Sequence, residues 1–267
     1  MIQILEDLKV VKDEDVYKSF NLDIPFCPLD GKLCKDEDTK GIILDTRKIN
    51  LDEYLNLKVI SRVGVGLDNI DLEECNKRRI KVYNTPCDEL TNSVVEFTVM
   101  QILNFLRKNN DVLFNKTVGI IGKGRIGGRV FDIFYDAKMV RHLYYHDIKD
   151  IDKFSLNHCS KETILQYSDI ICVHISGNEE VIGEKEIKDM KREPIIVNMS
   201  RGGCVNLEAV YMALDEYKIS GYITDVDIDA ITVNGVLATP HIASDTIPAR
   251  TAMEKMAVEN LIKGLKE

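Results

Sequence analysis

The sequence predicts an α/β protein built on parallel sheets, and two observations support this fold class. From residue 118 onward, short runs rich in β-branched residues alternate with segments of helical periodicity, which is the rhythm of βαβ units. The chain has 267 residues, of which 45% are hydrophobic, and a chain of this size can bury a sizeable core. We therefore expect one large domain or two modest ones, with strands that run parallel.

Ten short apolar runs are the predicted strands. Four of them, in the first third of the chain, indicate a second, smaller α/β unit: Ile2–Leu5, Ile42–Leu44, Val59–Val63 and Ile80–Tyr83. The other six follow later: Val118–Ile121, Leu143–Tyr145, Ile170–Ile175, Ile195–Val197, Ile223–Val226 and Val236–Ala238. In the smaller unit, the segments Asp13–Phe20 and Leu72–Arg79 separate the runs.

Two longer segments are predicted to be helices. Ser93–Leu106 carries its apolar residues on one face and is interpreted as a helix that crosses between domains. Ile247–Leu265 repeats Ala257, Leu261 and Leu265 at intervals of four residues. Its sequence neighbours do not indicate which domain this last helix packs on.

The charge and cysteine patterns exclude several classes of protein. Acidic residues outnumber basic ones by 44 to 35, and the net charge of −9 gives no basic footprint for nucleic acid. Glu6 and Asp7 stand where a signal peptide would be basic, and no apolar run approaches bilayer length. We therefore expect a cytoplasmic protein without a membrane partner. The seven cysteines form no C-x-x-C pair, which favours free thiols and no metal site.

A glycine-rich turn follows the strand predicted at Val118–Ile121. Gly122, Gly124 and Gly127 form a G-x-G-x-x-G pattern at the start of a helical segment. Gly122 permits the tight turn, Gly124 lets backbone N–H groups approach a pyrophosphate, and Gly127 lets helix and strand pack closely. A turn needed only for packing explains Gly127 but not the rest, so the pattern favours dinucleotide binding.

Asp147 supports this interpretation because it ends the next predicted strand, twenty residues after Gly127. A carboxylate there accepts hydrogen bonds from an adenosine ribose and repels a 2′-phosphate, so NAD is predicted in preference to NADP. Lys123 and Arg125 stand within the turn and can stack on or neutralise the phosphates. A solvated role is equally open for Lys123.

Four further segments, in order with the glycine turn, carry a resemblance to a known family: SRVGVGLDNID at Ser61–Asp71, YNTPCDELTNSVVE at Tyr83–Glu96, NMSRGGCVN at Asn198–Asn206 and TPHIAS at Thr239–Ser244. From about residue 40 to its end, the sequence resembles the D-isomer-specific 2-hydroxyacid dehydrogenases, with phosphoglycerate dehydrogenases among the closer relatives. The resemblance implies two Rossmann-like domains with parallel sheets and an active site in the cleft between them. Residues 1–93 and 245–267 would form the split substrate domain, and residues 94–244 the NAD-binding domain.

Two residues after predicted strands are the candidates for catalysis. Arg201 follows Ile195–Val197, and its fork of N–H donors suits a substrate carboxylate and carbonyl. A surface salt bridge is the alternative for Arg201. His241 follows the turn at Thr239–Pro240, and an imidazole suits the hydroxyl proton that must leave as hydride passes to nicotinamide. A histidine after a strand more often has a structural role, so the assignment of His241 as the catalytic base depends on the family resemblance.

The resemblance also implies contacts with cofactor and substrate. His174 matches a family position that lines the cofactor, and Asp225 matches one that hydrogen-bonds the nicotinamide amide. Val65 and Gly66 fall where relatives offer backbone N–H groups to the substrate carboxylate, although the glycines of this segment can serve the turn alone. Arg62 matches a basic position of phosphoglycerate dehydrogenases. The rest of the predicted cofactor set is Gly122, Gly124, Arg125, Ile126, Gly127, Asp147, Met199 and Ala243.

The sequence departs from the family beside the predicted active site. Relatives usually carry a catalytic glutamate five residues after the position of Asp225, where this chain has Ala230. Asp227 and Asp229 are the nearby acids, and an extended strand would turn both onto the face of Asp225. Asp229 is predicted to replace the glutamate because it is adjacent to that register; two solvated loop acids are the alternative.

The sequence also departs from the family at the dimer arm and at the substrate pocket. Nine residues separate Lys108 from Val118, where relatives usually have a longer arm that embraces a partner subunit. A homodimer is therefore expected to be weaker or differently built. Asp45 lies where several phosphoglycerate dehydrogenases have arginine, so a phosphorylated substrate is only modestly favoured.

The predicted function is hydride transfer between NAD and a small D-2-hydroxy acid or 2-keto acid, with 3-phosphoglycerate as one candidate. The main alternative is a non-catalytic NAD(H)-responsive regulatory protein on the same fold. Ala230 favours this alternative, whereas Arg201 and His241 count against it. A methyltransferase that uses S-adenosylmethionine would share the glycine turn but would leave TPHIAS and NMSRGG unexplained.

Overall fold

The computed structural model describes residues 2–4, 39–149, 155–191, 193–227 and 233–267. The chain divides into two compact units, the first formed by Met1–Leu90 with Thr246–Glu267 and the second by Thr91–Asp245. The roles predicted for residues 1–93 with 245–267 and for 94–244 remain predictions. The predicted segment Asp13–Phe20 lies outside the described residues.

The first unit contains a parallel sheet of four strands in the order β1-β2-β3-β4. Its elements in chain order are β1 (Ile2–Ile4), β2 (Gly41–Leu44), β3 (Val59–Arg62), helix α1 (Leu72–Lys77) and β4 (Lys81–Tyr83). Strand β2 and the first three residues of β3 are buried, and Leu51, Tyr54 and Cys75 complete a core against them. Helix α1 begins at Leu72 because the Asp71 side chain accepts from Glu74 N.

Helix α7 (Ile247–Lys266) is the last element of the chain, and it packs on the sheet of the first unit. A Cβ at Gly264 would lie only 2.8 Å from Val59 Cγ1 and 2.9 Å from Tyr83 Cε2. Asn260 Nδ2 also donates to Asn84 O at 3.1 Å. The structure therefore answers the question that the sequence left open, since the C-terminal helix completes the first unit.

The second unit contains a parallel sheet of six strands in the order β10-β9-β8-β7-β5-β6. Its elements are α2 (Asp88–Lys108, whose first turn lies in the first unit), β5 (Thr117–Ile121), α3 (Arg125–Asp136), β6 (His142–His146), α4 (Lys161–Tyr167), β7 (Ile170–Val173), α5 (Glu184–Asp189), β8 (Ile195–Asn198), α6 (Leu207–Asp215), β9 (Gly221–Thr224) and β10 (Val236–Ala238). The strand order reverses at β5, which pairs with β6 on one side and β7 on the other. In open parallel sheets, ligands bind at the carboxyl ends of the strands beside such a switch point.

Four central strands, β5, β7, β8 and β9, are buried along their whole length. This burial explains why the sequence shows continuous apolar runs there rather than an alternation of polar and apolar residues. Two predicted strands need correction at their ends: the strand expected at Ile170–Ile175 is Ile170–Val173, and the strand expected at Ile223–Val226 is Gly221–Thr224. The chain leaves the sheet before Asp225 because the Asp225 carboxylate accepts hydrogen bonds from Thr239 and from the two residues after His241.

The described cysteines are free thiols: Cys75, Cys87, Cys159, Cys172 and Cys204. No helix in the described part of the chain is long and apolar enough to cross a bilayer. Within the same residues, no group of three or more His, Cys, Asp or Glu side chains is placed to hold a metal ion.

Candidate functional site

The glycine turn after β5 is held closely against its surroundings. Gly122 has a φ of +92°, which favours glycine, and a Cβ there would lie 2.7 Å from His174 O. A Cβ at Gly127 would lie 2.0 Å from Gly122 O. Gly122 thus permits the turn, and Gly127 permits the close contact between helix α3 and that turn.

Gly124 differs from its two neighbours because a Cβ there would meet no atom within 4 Å. It is the N-cap of α3 and supplies no side-chain cap, so the N-terminal end of the helix has open space beside Gly124. Arg125 and Ile126 begin α3 on this side, Arg125 exposed and Ile126 half-buried. Open space at a helix N-terminus suits a pyrophosphate, which the N–H groups and the helix dipole attract.

Asp147 lies directly after β6 and holds the glycine turn. Its Oδ2 accepts from Lys123 N and its Oδ1 from Lys149 N, both at 2.8 Å. The Lys123 side chain lies against two aromatic rings, its Nζ 4.3 Å from the ring centre of Phe131 and 4.1 Å from that of Tyr145. Its predicted contact with the phosphates stays a prediction. A carboxylate has about four acceptor positions, so Asp147 retains capacity for ribose hydroxyls.

His174 follows β7 and is buried beside the glycine turn, its Cβ 3.1 Å from where a Cβ of Gly127 would stand. Neither of its ring nitrogens has a hydrogen-bond partner among the described residues. Loss of hydration on burial lowers the pKa of His174 to about 4, so the ring is neutral at pH 7. A buried polar group without a partner is costly, and its place beside the turn fits a position that a bound dinucleotide completes.

Arg201 follows β8 and is half-buried. Its Nη1 donates to Ser200 O at 2.9 Å. The Ser200 hydroxyl donates to Val173 O at 3.0 Å and accepts from Ile175 N at 2.9 Å, which joins the ends of β8 and β7. Met199, predicted to contact the cofactor, is buried between Asn198 and Ser200, and its N–H donates to Val173 O at 3.3 Å.

His241 lies on an exposed loop after β10 and has a φ of 56°. This left-handed conformation costs a residue with a Cβ on the order of 1 kcal/mol unless its surroundings hold it. The described residues give the imidazole no hydrogen-bond partner, and they hold its backbone instead. Its own N–H donates to Thr239 O at 3.0 Å, which closes the tight turn at Pro240.

Asp225 fixes this loop from the end of β9. Its carboxylate accepts from Thr239 Oγ1 at 2.6 Å, from Ile242 N at 2.9 Å and from Ala243 N at 2.8 Å. Ala243 O in turn accepts from Ser93 Oγ at 2.6 Å. Three of about four acceptor positions of Asp225 are thus occupied, and one is left for the nicotinamide amide that the sequence analysis assigns to this residue.

Asp227 does not share the face of Asp225, contrary to the expectation for a continuing strand. The strand ends at Thr224, and Asp227 Oδ2 accepts from Tyr222 OH at 2.5 Å and from Thr224 Oγ1 at 3.0 Å. Asp229 and Ala230 lie outside the described residues. The replacement of the family glutamate by Asp229 therefore stays a prediction.

In the first unit, the predicted substrate residues are the last residue of β3, Arg62, and two residues of the loop that follows, Val65 and Gly66. The Arg62 side chain folds over Gly64, and its Nη1 donates to Val63 O at 2.7 Å. Asn84 Nδ2 donates to Val65 O at 2.8 Å. No described residue accepts from the N–H groups of Val65 and Gly66, and their contact with the substrate carboxylate stays a prediction.

An ion network in the first unit was not foreseen from the sequence. Arg250, on α7, lies 3.8 Å from Asp45 Oδ2 and 3.2 Å from Glu254 Oε1, and Glu254 is fully buried. An acid four residues after an arginine in a predicted helix is the only sequence signal for it. Asn198, Tyr222 and Thr239 were also missed. Tyr222 and Thr239 have side-chain partners 5 to 24 residues away, and Asn198 binds the nearby backbone at Ser200 N and Arg201 O.

Comparisons with known proteins identify the family of the chain. A model of the family described as D-isomer specific 2-hydroxyacid dehydrogenase, NAD binding domain, matches residues 101–243. A glyoxylate reductase of Thermofilum pendens is 34% identical, with 87% of this chain and 79% of that protein covered. A glyoxylate reductase of Korarchaeum cryptofilum is 32% identical, with 77% of this chain and 72% of that protein covered.

Solved structures share the fold over nearly the whole chain. The TT0316 protein from Thermus thermophilus superimposes with a TM-score of 0.84 at 26% identity, and the match covers 99% of this chain and 96% of that one. The predicted fold class and family resemblance are thereby confirmed. The chain belongs to the D-isomer-specific 2-hydroxyacid dehydrogenase family and is an oxidoreductase that uses NAD.

Proposed function

We propose that the protein transfers hydride reversibly between NAD(H) and a small 2-keto acid of the glyoxylate and hydroxypyruvate class. The observation that carries this proposal is the placement of Arg201 and His241. Arg201 follows β8 and His241 follows β10, at the carboxyl ends of strands that flank β9 in one parallel sheet. Between them, the end of β9 supplies Asp225, which holds the loop of His241.

The residues at the other end of the same edge suit NAD. The open space at Gly124 would take the pyrophosphate, Asp147 would accept from the ribose, and the unpartnered ring of His174 would lie against the cofactor. Bound NADH supplies the hydride. The negative charge of Asp147 opposes a 2′-phosphate, so we assign the protein a preference for NAD over NADP.

Arg201 and His241 divide the remaining chemistry. The guanidinium of Arg201 would bind the substrate carboxylate with paired N–H donors and polarise the neighbouring carbonyl. The imidazole of His241 would donate a proton to the oxygen of that carbonyl during reduction and take it back during oxidation. The hydrogen bonds from Thr239, Ile242 and Ala243 to Asp225 keep the backbone of this loop in place before the substrate arrives.

A small substrate without phosphate is favoured by the charges of the first unit. The Asp45 carboxylate pairs with Arg250, and Arg250 also pairs with Glu254. Arg62 donates to the carbonyl of its own loop. Arg250 thus lies between two carboxylates, and their negative charge would repel a phosphate dianion. The relatives from Thermofilum pendens and Korarchaeum cryptofilum are named glyoxylate reductases, which supports the same choice over 3-phosphoglycerate.

An acid that accompanies His241 belongs to the proposal as well. Asp227 is engaged by two hydroxyl groups, so Asp229 is the better candidate to hold the imidazole and stabilise its protonated form. Asp229→Asn is then expected to lower turnover by at least about tenfold, within the range of positioned acid–base catalysis.

A homodimer with a shortened arm is the proposed assembly. The segment between α2 and β5 is short, and it exposes Val112 and Phe114. Phe114 is 65% exposed, and a large apolar side chain at the tip of a short arm is suited to a partner subunit. Sedimentation of the parent and of Phe114→Ser at micromolar concentration measures whether this segment contributes to the stability of the dimer.

The decisive experiment follows the loss of nicotinamide absorbance from NADH in the presence of a panel of small 2-keto acids and 3-phosphohydroxypyruvate. Glyoxylate and hydroxypyruvate are expected to be turned over. His241→Asn is the test variant, since asparagine tolerates the left-handed backbone but is no base. It should lower kcat by about 10²–10⁴-fold. NADH binding without turnover of any acid would instead favour the regulatory function, which Ala230 and the lack of an imidazole partner among the described residues support.

A further inference from the structure

The backbone around Arg201 is held on both sides by one buried side chain. Asn198, the last residue of β8, is fully buried. Its Oδ1 accepts from Ser200 N at 3.0 Å, and its Nδ2 donates to Arg201 O at 2.9 Å. The residue before Arg201 and the carbonyl of Arg201 itself are therefore tied to the same amide, which fixes where the arginine side chain leaves the backbone.

Tyr222 connects this amide to the neighbouring strand β9. The ring is fully buried, and its hydroxyl accepts from the second N–H of Asn198 Nδ2 at 3.2 Å. The hydroxyl donates to Asp227 Oδ2 at 2.5 Å. Burial and the adjacent carboxylate raise the pKa of Tyr222 well above its usual value, so the phenol stays protonated and its donor remains directed at Asp227.

Asp227 closes the network against the backbone that follows Arg201. Its Oδ2 accepts a second hydrogen bond, from Thr224 Oγ1 at 3.0 Å. Its Oδ1 lies 2.7 Å from the position that a Cβ of Gly202 would occupy. The carboxylate thus reaches the arginine segment directly at Gly202 and indirectly through Tyr222 and Asn198.

We propose that Asp227 is a positioning residue for Arg201, acting through Tyr222 and Asn198 on the recognition of the substrate carboxylate. This inference rests on the proposed function and adds to it a determinant of keto-acid affinity. A planar guanidinium binds a carboxylate well only in one orientation, and displacement of a binding group by about 1 Å can cost on the order of a hundredfold. Asp227 thereby has a task other than serving as the missing acid of His241.

The test measures keto-acid recognition separately from chemistry. Oxamate, an unreactive analogue of a small 2-keto acid, is titrated calorimetrically into the protein with bound NADH, and kcat and KM for glyoxylate are measured beside it. Asp227→Ala is expected to raise the Kd for oxamate and the KM for glyoxylate about tenfold, with kcat within about threefold and NADH affinity unchanged. Asp227→Asn keeps an acceptor for the two hydroxyls and should stay within about threefold of the parent on both measures.

Tyr222→Phe removes only the hydroxyl, so it should raise the Kd for oxamate about fivefold and keeps the test valid if Asp227→Ala does not fold. Asp215→Asn and Tyr217→Phe are matched controls at exposed positions at the end of α6, and both should bind oxamate as the parent does. Unchanged oxamate affinity in Tyr222→Phe and Asp227→Ala would overturn the proposal, as would a lower kcat with an altered pH profile at unchanged KM. A parent that binds no oxamate would overturn it too. Oxamate binding that depends on Asp227 in a parent without turnover would support this proposal while the proposed function fails.

Discussion

The carboxyl edge of the six-stranded sheet is built in two different ways. At the ends of β5, β6 and β7, the cofactor half is shaped mainly by missing side chains, at Gly122, Gly124 and Gly127. At the ends of β8, β9 and β10, the catalytic half is shaped by side chains that hydrogen-bond to backbone, chiefly Asn198 and Asp225. The first half gives a ligand room, whereas the second half holds reactive groups in place.

The two halves differ in the sequence separation of the groups that shape them. The glycine turn occupies six consecutive residues, and its shape follows from local steric limits. Asp225, by contrast, binds groups 14 to 18 residues away. Substitutions in the cofactor half should therefore act through space filling, and substitutions in the catalytic half through orientation.

After His241→Asn, the largest effect is expected for Arg201→Lys in the catalytic half. An ammonium cannot reproduce two parallel N–H donors. The variant should therefore lose about 2–4 kcal/mol of transition-state stabilisation, which is measured as a lower kcat/KM for the keto acid. Steady-state kinetics with glyoxylate and NADH measure this loss. Arg107→Lys, at the exposed end of α2, is the matched control, and equal kinetics in the two variants would show that Arg201 is only a structural cation.

The second prediction concerns His174, the unpartnered residue of the cofactor half. Its pKa is lowered by burial from 6.5 to about 4, so the folded protein binds this proton less readily than the unfolded chain does. Above pH 6.5 His174 is neutral in both states and leaves the free energy of unfolding unchanged. As the pH falls toward 4, the unfolded chain takes up the proton first, and the free energy of unfolding decreases. The loss amounts to about 3 kcal/mol in the unliganded protein.

Urea unfolding between pH 7 and pH 4 measures this dependence. His174→Asn removes the titrating group and should flatten the curve in that window. His142→Asn changes an exposed histidine of β6 and should keep the slope of the parent. A parent slope that survives in His174→Asn would assign the acid sensitivity to other groups.

Sequence patterns predict the elements and the cofactor half more completely than the catalytic half. The six-stranded sheet was predictable because buried parallel strands are continuous apolar runs. Arg201 and His241 were found from their positions after strands, with the family resemblance. The role of Asp225 in holding the His241 loop was not predictable, because two of its three partners are backbone N–H groups, which carry no residue identity. The two-residue error in β9 also hid the different directions of Asp225 and Asp227.

The third prediction tests the claim that the cofactor half depends on missing side chains. A Cβ in Gly127→Ala would stand 2.0 Å from Gly122 O, and backbone must shift to relieve it. We expect a loss of about 2 kcal/mol in unfolding free energy together with weaker NADH binding. In Gly128→Ala the new Cβ finds only ordinary contact, 3.6 Å from Lys123 O, so this neighbour on the same helix should gain about 0.5 kcal/mol and bind NADH normally.

The smallest expected effect is on the choice of cofactor, and it separates the two tasks of Asp147. The carboxylate holds the turn through Lys123 N and Lys149 N, and its charge opposes a 2′-phosphate. Asp147→Asn removes the charge and keeps one of the two acceptor oxygens, so the ratio of NADPH to NADH affinity should rise by about tenfold, or about 1.4 kcal/mol, with a smaller loss of thermal stability than in Asp147→Ala. Asp147→Ala should shift the ratio similarly and also lower NADH affinity and stability, because both backbone N–H groups lose their acceptor. Asp132→Asn, exposed on α3, controls for net charge, and an unchanged ratio in both Asp147 variants would mean that Asp147 only holds the turn.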